Sequence, residues 1–276
     1  MTTRYETNPN DFKTYTTEQL RSNFLVETLF RSEEVTLTYT HYDRLIFGGI
    51  MPCQQSIIFP NPIEIRSAYF LERREIGFIN IGGVGTITAD GQEFEMEKLG
   101  AIYLGKGTQT ISFSSVDHTN PALFFFLSAP AHHTYPNAKL SKEEASPVVM
   151  GSSETANHRI IYKYIHEGGM ASCQLVMGLT VLQKGSIWNT MPAHTHDRRS
   201  EVYCYFDVPS EQAILHLMGQ PTETRPLWVH NHQAIISPPW SIHSGAGTAH
   251  YSFIWGMAGE NKDFTDMDFI PITALK

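Results

Sequence analysis

Along most of the chain apolar and polar residues alternate with a period of two, and the alternation is broken at short intervals by Gly, Pro, Asn or Asp. Val35-Thr36-Leu37-Thr38-Tyr39-Thr40 is one such run, and the period places every second side chain on one face of a strand. Gly85-Thr86-Ile87-Thr88-Ala89 and Gln92-Glu93-Phe94-Glu95-Met96 flank Asp90-Gly91, a pair that supplies the positive φ angles a tight hairpin requires. Strands are predicted again at residues 101–104, 110–113 and 122–127, and then at 159–165, 174–181 and 251–255. The run at 122–127 is apolar on both faces and is expected to be covered on both. One segment departs from the pattern. Thr16-Thr17-Glu18-Gln19 has the Thr-x-x-Gln form of a capping box ahead of Leu20, Phe24 and Leu25, which predicts a short amphipathic helix over about residues 17–30, packed on a β unit or a neighbouring subunit.

Between about residues 130 and 156 the alternation lapses into polar sequence containing Pro130, Pro136 and Pro147, with Ser141-Lys142-Glu143-Glu144 reading as a single helical turn. The chain is therefore expected to divide into two β units, 1–150 and 151–276, each a sandwich or barrel of short antiparallel strands. The fold class is all-β with a short N-terminal helix. The two units can be laid over each other as a degenerate repeat. In that overlay Arg74-Glu75-Ile76 falls where Ser200-Glu201-Val202 falls, Ala68 and Phe70 take the places of His194 and His196, and Thr110 takes that of His243.

Composition narrows the possible functions. With 28 acidic against 20 basic residues among 276, the net charge of -8 disfavours nucleic acid and anionic membranes as partners. No apolar run approaches the roughly 20 residues of a membrane helix, and the first thirty residues do not read as a signal peptide. Cys53, Cys173 and Cys204 form no C-x-x-C pair, so they read as small core residues in a reducing compartment. A cytoplasmic, soluble protein is expected.

The candidate chemistry lies in Ala193-His194-Thr195-His196-Asp197-Arg198-Arg199-Ser200-Glu201-Val202-Tyr203-Cys204. In an extended strand His194 and His196 point the same way. The polar run 197–200 reads as a bend that returns Glu201 towards them, and His243, after Pro238-Pro239-Trp240-Ser241-Ile242, is the candidate for a further ligand. Three imidazoles and a carboxylate suit zinc, iron, manganese or nickel better than calcium or magnesium, and zinc is the expected ion. Glu201, Tyr203, Tyr205 and Asp207 share the face predicted to line the interior. Arg199, with its neighbour Arg198, and Arg159 and Lys163 in the preceding strand are candidates to hold a substrate carboxylate, with Tyr203 and Tyr205 lining the pocket. His132-His133, His230 and His232 read as structural or solvated, and His216 carries no spacing argument. No P-loop, dinucleotide-binding glycine fingerprint or Gly-x-Ser-x-Gly elbow is present, which leaves nucleotide use and serine hydrolysis without support.

The set His194-x-His196-x4-Glu201 followed by Pro238-x-Trp240-x-x-His243 resembles the two sequence motifs of the cupin superfamily. Val208 stands near the place of that family's usual glycine after the first motif, Trp240 where the second usually has Gly, and Gly247 where it often has Asn. More closely, residues 158–165, 189–203 and 238–245 are similar to the family of 5-keto-4-deoxyuronate isomerases, and the likeness spans nearly the whole chain. The resemblance implies two cupin-like antiparallel β-barrels, the first without metal. It implies one Zn2+ per subunit on His194, His196, Glu201 and His243, a cytoplasmic hexamer, and aldose-ketose isomerisation of an open-chain uronate released from pectin. The proton-transfer residue is not assigned by it. The alternatives are another metal cupin, either a deoxyglucuronate isomerase or an iron dioxygenase, and a non-catalytic sugar-acid binding protein.

Overall fold

A computed structural model describes residues 1–260, 262 and 265–276. Chain contacts divide it into two units: Met1–Thr3, Leu29–Ser146 and Lys163–Met177 form the first, and Arg4–Thr28, Pro147–Tyr162 and Gly178–Lys276 the second. The all-β expectation holds. Each unit carries a large and a small antiparallel sheet, rather than one closed hydrogen-bonded barrel.

In the first unit the large sheet runs, in spatial order, Thr2–Arg4, Thr38–Thr40, Ile46–Ile50, Phe124–Pro130, Arg74–Asn80, Ala101–Leu104 and Ala138–Leu140. The small sheet runs Ile57–Ile58, Ile111–Ser115, Gly85–Ala89 and Gln92–Met96. The hairpin at 85–96 forms as expected, with Asp90 at φ +49° and Gly91 at φ +83°, both in the left-handed region such a turn demands. Between the two sheets lies a core of Phe59, Phe70, Phe78, Phe113, Phe124 and Phe126 with Ile76, Ile87 and Ile102. Its rings meet edge-on or tilted, as at Phe59 and Phe70, 4.7 Å apart, the arrangement that ring quadrupoles favour.

The second large sheet runs Val148–Met150, Arg159–Ile165, Val176–Leu182, Ser252–Gly259, Arg199–Phe206, Gln233–Ser237 and Leu25–Val26, and the second small one Trp188–Asn189, Ile242–Gly247, Ile214–Gln220 and Glu223–Val229. The strand orders of the two small sheets match, as do those of the large sheets except at the last edge, where Ala138–Leu140 comes late in the chain and Leu25–Val26 early, which gives the repeat a structural basis. The residue overlay, however, is off by one at its glutamate. Ile76 and Phe78 enter the core of the first unit, so Glu75 faces the other way, where it accepts from the backbone N–H groups of Cys173, Gln174 and Leu175. A slip of one residue turns every side chain of a strand to its opposite face. Phe70 does pack into the core, whereas Thr110 is exposed and bonds Asp90, leaving Ile111 to face inward.

The predicted helix is shorter than expected, Thr17–Phe24. Its capping box is complete: Thr16 Oγ1 accepts from the Gln19 N–H, and the Gln19 side chain accepts from the Thr16 N–H. The apolar periodicity continues into Leu25, but Leu25 and Val26 become extended and pair with Ile235 and Ala234. A ladder with a distant strand therefore outcompetes local helix propensity there. Phe24, with Phe12 from the short helix Pro9–Phe12, packs edge-on against Trp240. Of the three cysteines only Cys204 is buried, and all are free thiols. Among the described residues no helix is long and apolar enough to cross a membrane.

Candidate metal centre

Three segments of the second unit assemble the site. His194 lies in a two-residue strand, His194–Thr195, held by pairing with Phe269 and Asp268. His196 follows, the chain bends, and the strand Arg199–Phe206 carries Glu201, Tyr203 and Tyr205 on its inner face. His243 comes from the small sheet, on Ile242–Gly247, after a turn in which the Ser241 N–H donates to the Pro238 carbonyl at 3.0 Å. Each of the four residues offers one ligand atom, and these atoms lie within 4.8 Å of one another.

The fit to a single ion can be judged from the contacts. His243 Nε2 and His194 Nε2 are 3.0 Å apart, His196 Nε2 and Glu201 Oε1 2.8 Å, and His243 Nε2 and Glu201 Oε2 3.8 Å. Donor atoms sharing one ion at 2.0–2.1 Å are separated by roughly 3 to 3.4 Å. Despite their proximity, His196 Nε2 and Glu201 Oε1 do not meet in hydrogen-bonding geometry, and Glu201 Oε2 also finds no hydrogen-bond partner among the described residues. Buried polar atoms are ordinarily paired, so atoms that converge without pairing fit a common cation. Around them Ser237 Oγ lies 3.3 Å from His243 Nδ1, which leaves Nε2 to face the cluster, and the Tyr203 hydroxyl bonds both Glu201 and Thr190. Such contacts orient ligands and fix their tautomers.

Electrostatics prepares the same arrangement. Burial alone would raise the Glu201 carboxyl, but the facing His243 and His196 and the Arg199 guanidinium outweigh it and hold the group well below the usual carboxylate range. Burial pushes His194 down to about 4 and His243 well below the ordinary imidazole value. Near neutral pH Glu201 is thus ionised and His194 and His243 are neutral, the forms a cation binds. The same depression has a sign for stability. The unfolded chain takes up these protons from about pH 6.5 downward, whereas the folded chain resists until about pH 4 or below, so stability is fully present above pH 6.5 and is lost as pH falls through this window. The urea midpoint of chelator-treated protein is expected to decline steadily from pH 6.5 to 4; a flat profile would contradict the burial of these imidazoles.

Not every residue singled out in the sequence reaches the site. Tyr203 and Tyr205 line the interior beside the cluster, both buried. Arg199 is buried and pairs with Asp266 at 2.7 Å, so its guanidinium is held by the chain itself. Arg159 donates to the Asn157 carbonyl at 2.9 Å and lies three strands from Arg199–Phe206 in sheet order, about 14 Å away at ordinary strand spacing. Lys163, on the same strand, groups with the first unit. Asp207 leaves the inner face because the strand ends at Phe206 and Asp207 turns to φ +53°. Ser237, Asp266 and His216 belong to no motif, and Asn189 only begins the stretch 189–203. Inward alternation of Gln233-Ile235-Ser237 and of Ile214-His216-Met218 carries a signal for two of them; for Asp266 no local signal exists.

Comparison with known proteins places the chain in a family. The 4-deoxy-L-threo-5-hexosulose-uronate ketol-isomerase of Halalkalibacterium halodurans is 53% identical over 276 residues, covering all of both chains. The protein of the same name from Formosa agariphila is 50% identical over 273 residues, 99% of this chain and 98% of its own. Among solved structures, an IolB-like protein from Salmonella typhimurium LT2 superposes with a TM-score of 0.71 at 16% identity, over 90% of this chain and 97% of that one. An oxalate decarboxylase of Bacillus subtilis does so with a TM-score of 0.55 at 11% identity, over 83% and 74%. These two likenesses speak to the fold alone. Residues 63–272, which carry all four clustered ligand positions, match the KduI/IolB family from end to end of that span, and with relatives at half identity along the full chain, the protein belongs to that family.

Proposed function

We propose that this protein is a metal-dependent ketol-isomerase of uronate breakdown, interconverting 4-deoxy-L-threo-5-hexosulose uronate (5-dehydro-4-deoxy-D-glucuronate) and 3-deoxy-D-glycero-2,5-hexodiulosonate. The observation that carries this reading is the end-to-end likeness, at 50–53% identity, to relatives bearing that enzyme name. The buried cluster of three imidazoles and a carboxylate supplies matching chemistry. His194, His196, Glu201 and His243 would hold the ion, with zinc, one per subunit, as our choice from the donor set. When bound, the ion supplies a Lewis acid able to polarise a carbonyl.

The reaction moves one proton between adjacent carbons and one between their oxygens, with no net oxidation. Tyr203 keeps the Glu201 carboxylate oriented, and Ser237 keeps Nε2 of His243 turned inward. The aromatic wall of Tyr203, Tyr205, Tyr251 and Phe253 screens the interior from water, which strengthens every electrostatic contact inside. Tyr203 and Tyr205 would line the substrate pocket, and Arg159, Lys163 and Arg199 are the candidates for the substrate carboxylate, Arg199 while keeping its pair with Asp266. A cytoplasmic hexamer completes the reading, checked by light scattering and cell fractionation.

Following the unsaturated uronate product by NMR with purified protein tests the function. Conversion is expected, abolished by a chelator and restored by zinc. Binding without conversion would overturn the reading in favour of a sugar-acid binding protein, oxygen uptake in favour of a dioxygenase, and preferential turnover of a deoxyglucuronate in favour of that isomerase.

A further inference from the structure

Beneath the metal cluster, in the same interior, lies a directed chain of polar side chains that the reading above does not use. Asn189 Nδ2 donates to Tyr205 Oη at 3.4 Å, and the Tyr205 hydroxyl lies 2.7 Å from His216 Nδ1. All three residues are fully buried. A phenol must place its proton on an acceptor, and with Oη already receiving the amide, Nδ1 is the acceptor it has. With the Asn189 amide turned so that Nδ2 faces Oη, the phenol proton goes to His216 Nδ1, which leaves the ring proton on Nε2. That nitrogen is buried and finds no partner among the described residues, although a buried donor left unpaired costs about 1–3 kcal/mol. Burial also pushes His216 down to about 3, so the ring is neutral.

Its position fits a role in the reaction. His216 stands on the inner face of Ile214–Gln220, directly opposite Gly245, and Met218 on the same strand is opposite His243. His216 and His243 are thus diagonal neighbours, their backbones about 7–8 Å apart. The Tyr203 ring packs against both imidazoles, 5.9 Å from His216 and 5.3 Å from His243. Gly245 keeps the array in place: a Cβ there would come within 3.1 Å of Asn189 Oδ1 and 3.4 Å of Tyr205 Oη.

We infer that His216 is a further catalytic residue, whose Nε2–H donates to an oxygen of the open-chain uronate at the carbons that exchange the proton, with Tyr205 and Asn189 as positioning residues that fix its tautomer. This deepens the proposed function and rests on it. A preset neutral donor aimed at an oxygen that gains negative charge costs no reorganisation at the moment of reaction.

Two substitutions of the metal-loaded enzyme separate this role from a structural one. His216→Gln places an amide N–H near the Nε2 position; His216→Asn keeps only an acceptor for Tyr205. With metal content at one per chain in both, His216→Gln is expected to stay within about 10-fold of the native kcat and His216→Asn to lose about 100-fold, with KM little changed. Asn performing as well as Gln, or both performing as wild type, would overturn the assignment. Should either variant lose metal or fold, Tyr205→Phe decides: it leaves His216 in place but releases the tautomer, and an expected drop of about 10-fold in kcat at unchanged KM supports the inference, whereas an unchanged kcat overturns it. Wild-type protein without isomerase activity would overturn both this inference and the functional reading, whereas an active wild type with indifferent variants overturns this inference alone.

Discussion

Glu201→Ala is expected to bind less than about a tenth of the native metal and to lose at least about 1,000-fold in kcat/KM, an effect on the scale of the whole Lewis-acid contribution. Glu201 is the one anionic donor of the cluster and is held ionised by the imidazoles and by Arg199. Without it, three imidazoles and the nearby guanidinium would face an incoming cation with no charge to balance it. Glu201→Gln is the sharper form, because it keeps the volume and a hydrogen-bonding oxygen for Tyr203 while removing only the charge. Elemental analysis alongside the isomerase assay reads both effects, and His194→Ala should behave alike. Stoichiometric metal with undiminished activity in either variant would remove Glu201 or His194 from the centre. Reloading stripped wild-type protein with zinc, iron or manganese in turn then identifies the ion that restores turnover.

The second large effect belongs to stability. Glu75 is fully buried in the first unit. Its Oε1 accepts from the N–H groups of Gln174 and Leu175, both at 2.9 Å, and its Oε2 from the Cys173 N–H at 2.7 Å and the Tyr103 hydroxyl at 2.8 Å. Four donors on one carboxylate bind residues 173–175 to the strand Arg74–Asn80. Glu75→Ala strands all four donors, and with each bond to a charged group worth about 1.5–3 kcal/mol, less what water recovers by entering, the loss should be about 4 kcal/mol. That corresponds to a fall of about 10 °C in Tm for a unit of this size. Glu75→Gln should recover little, since its amide nitrogen would turn N–H groups towards N–H donors. Calorimetry checks this: melting of both variants within 2 °C of wild type would show that the carboxylate does not bear this role.

Much of the site was readable because its signals are local. His194 and His196 are two apart, and a period of two puts them on one face whatever surrounds them. The Asp90-Gly91 turn and the Thr16 cap are likewise decided within a few residues, and both form as expected. Arg199 shows the opposite case. Lying between ligands, it reads as a cation free for substrate, yet it pairs with Asp266 near the far end of the chain. Period two also left the facing of Glu75 open, since a strand reads equally well in either register until one of its faces acquires a core.

By itself, then, the sequence determined the all-β character, the single hairpin and cap geometries, the family resemblance and the three His and one Glu that the fold brings together. Each of these depends on contacts within a few residues, or on residue identities that a cation selects by chemistry. The tertiary structure decided that Leu25–Val26 leaves the helix to complete a sheet with Gln233–Ser237, that Glu75 faces away from the core, and that Asn189, Tyr205 and His216 form one donor chain. Those outcomes depend on which distant strand wins a place in the ladder and which buried donor meets which acceptor, and these are settled only when the whole unit packs.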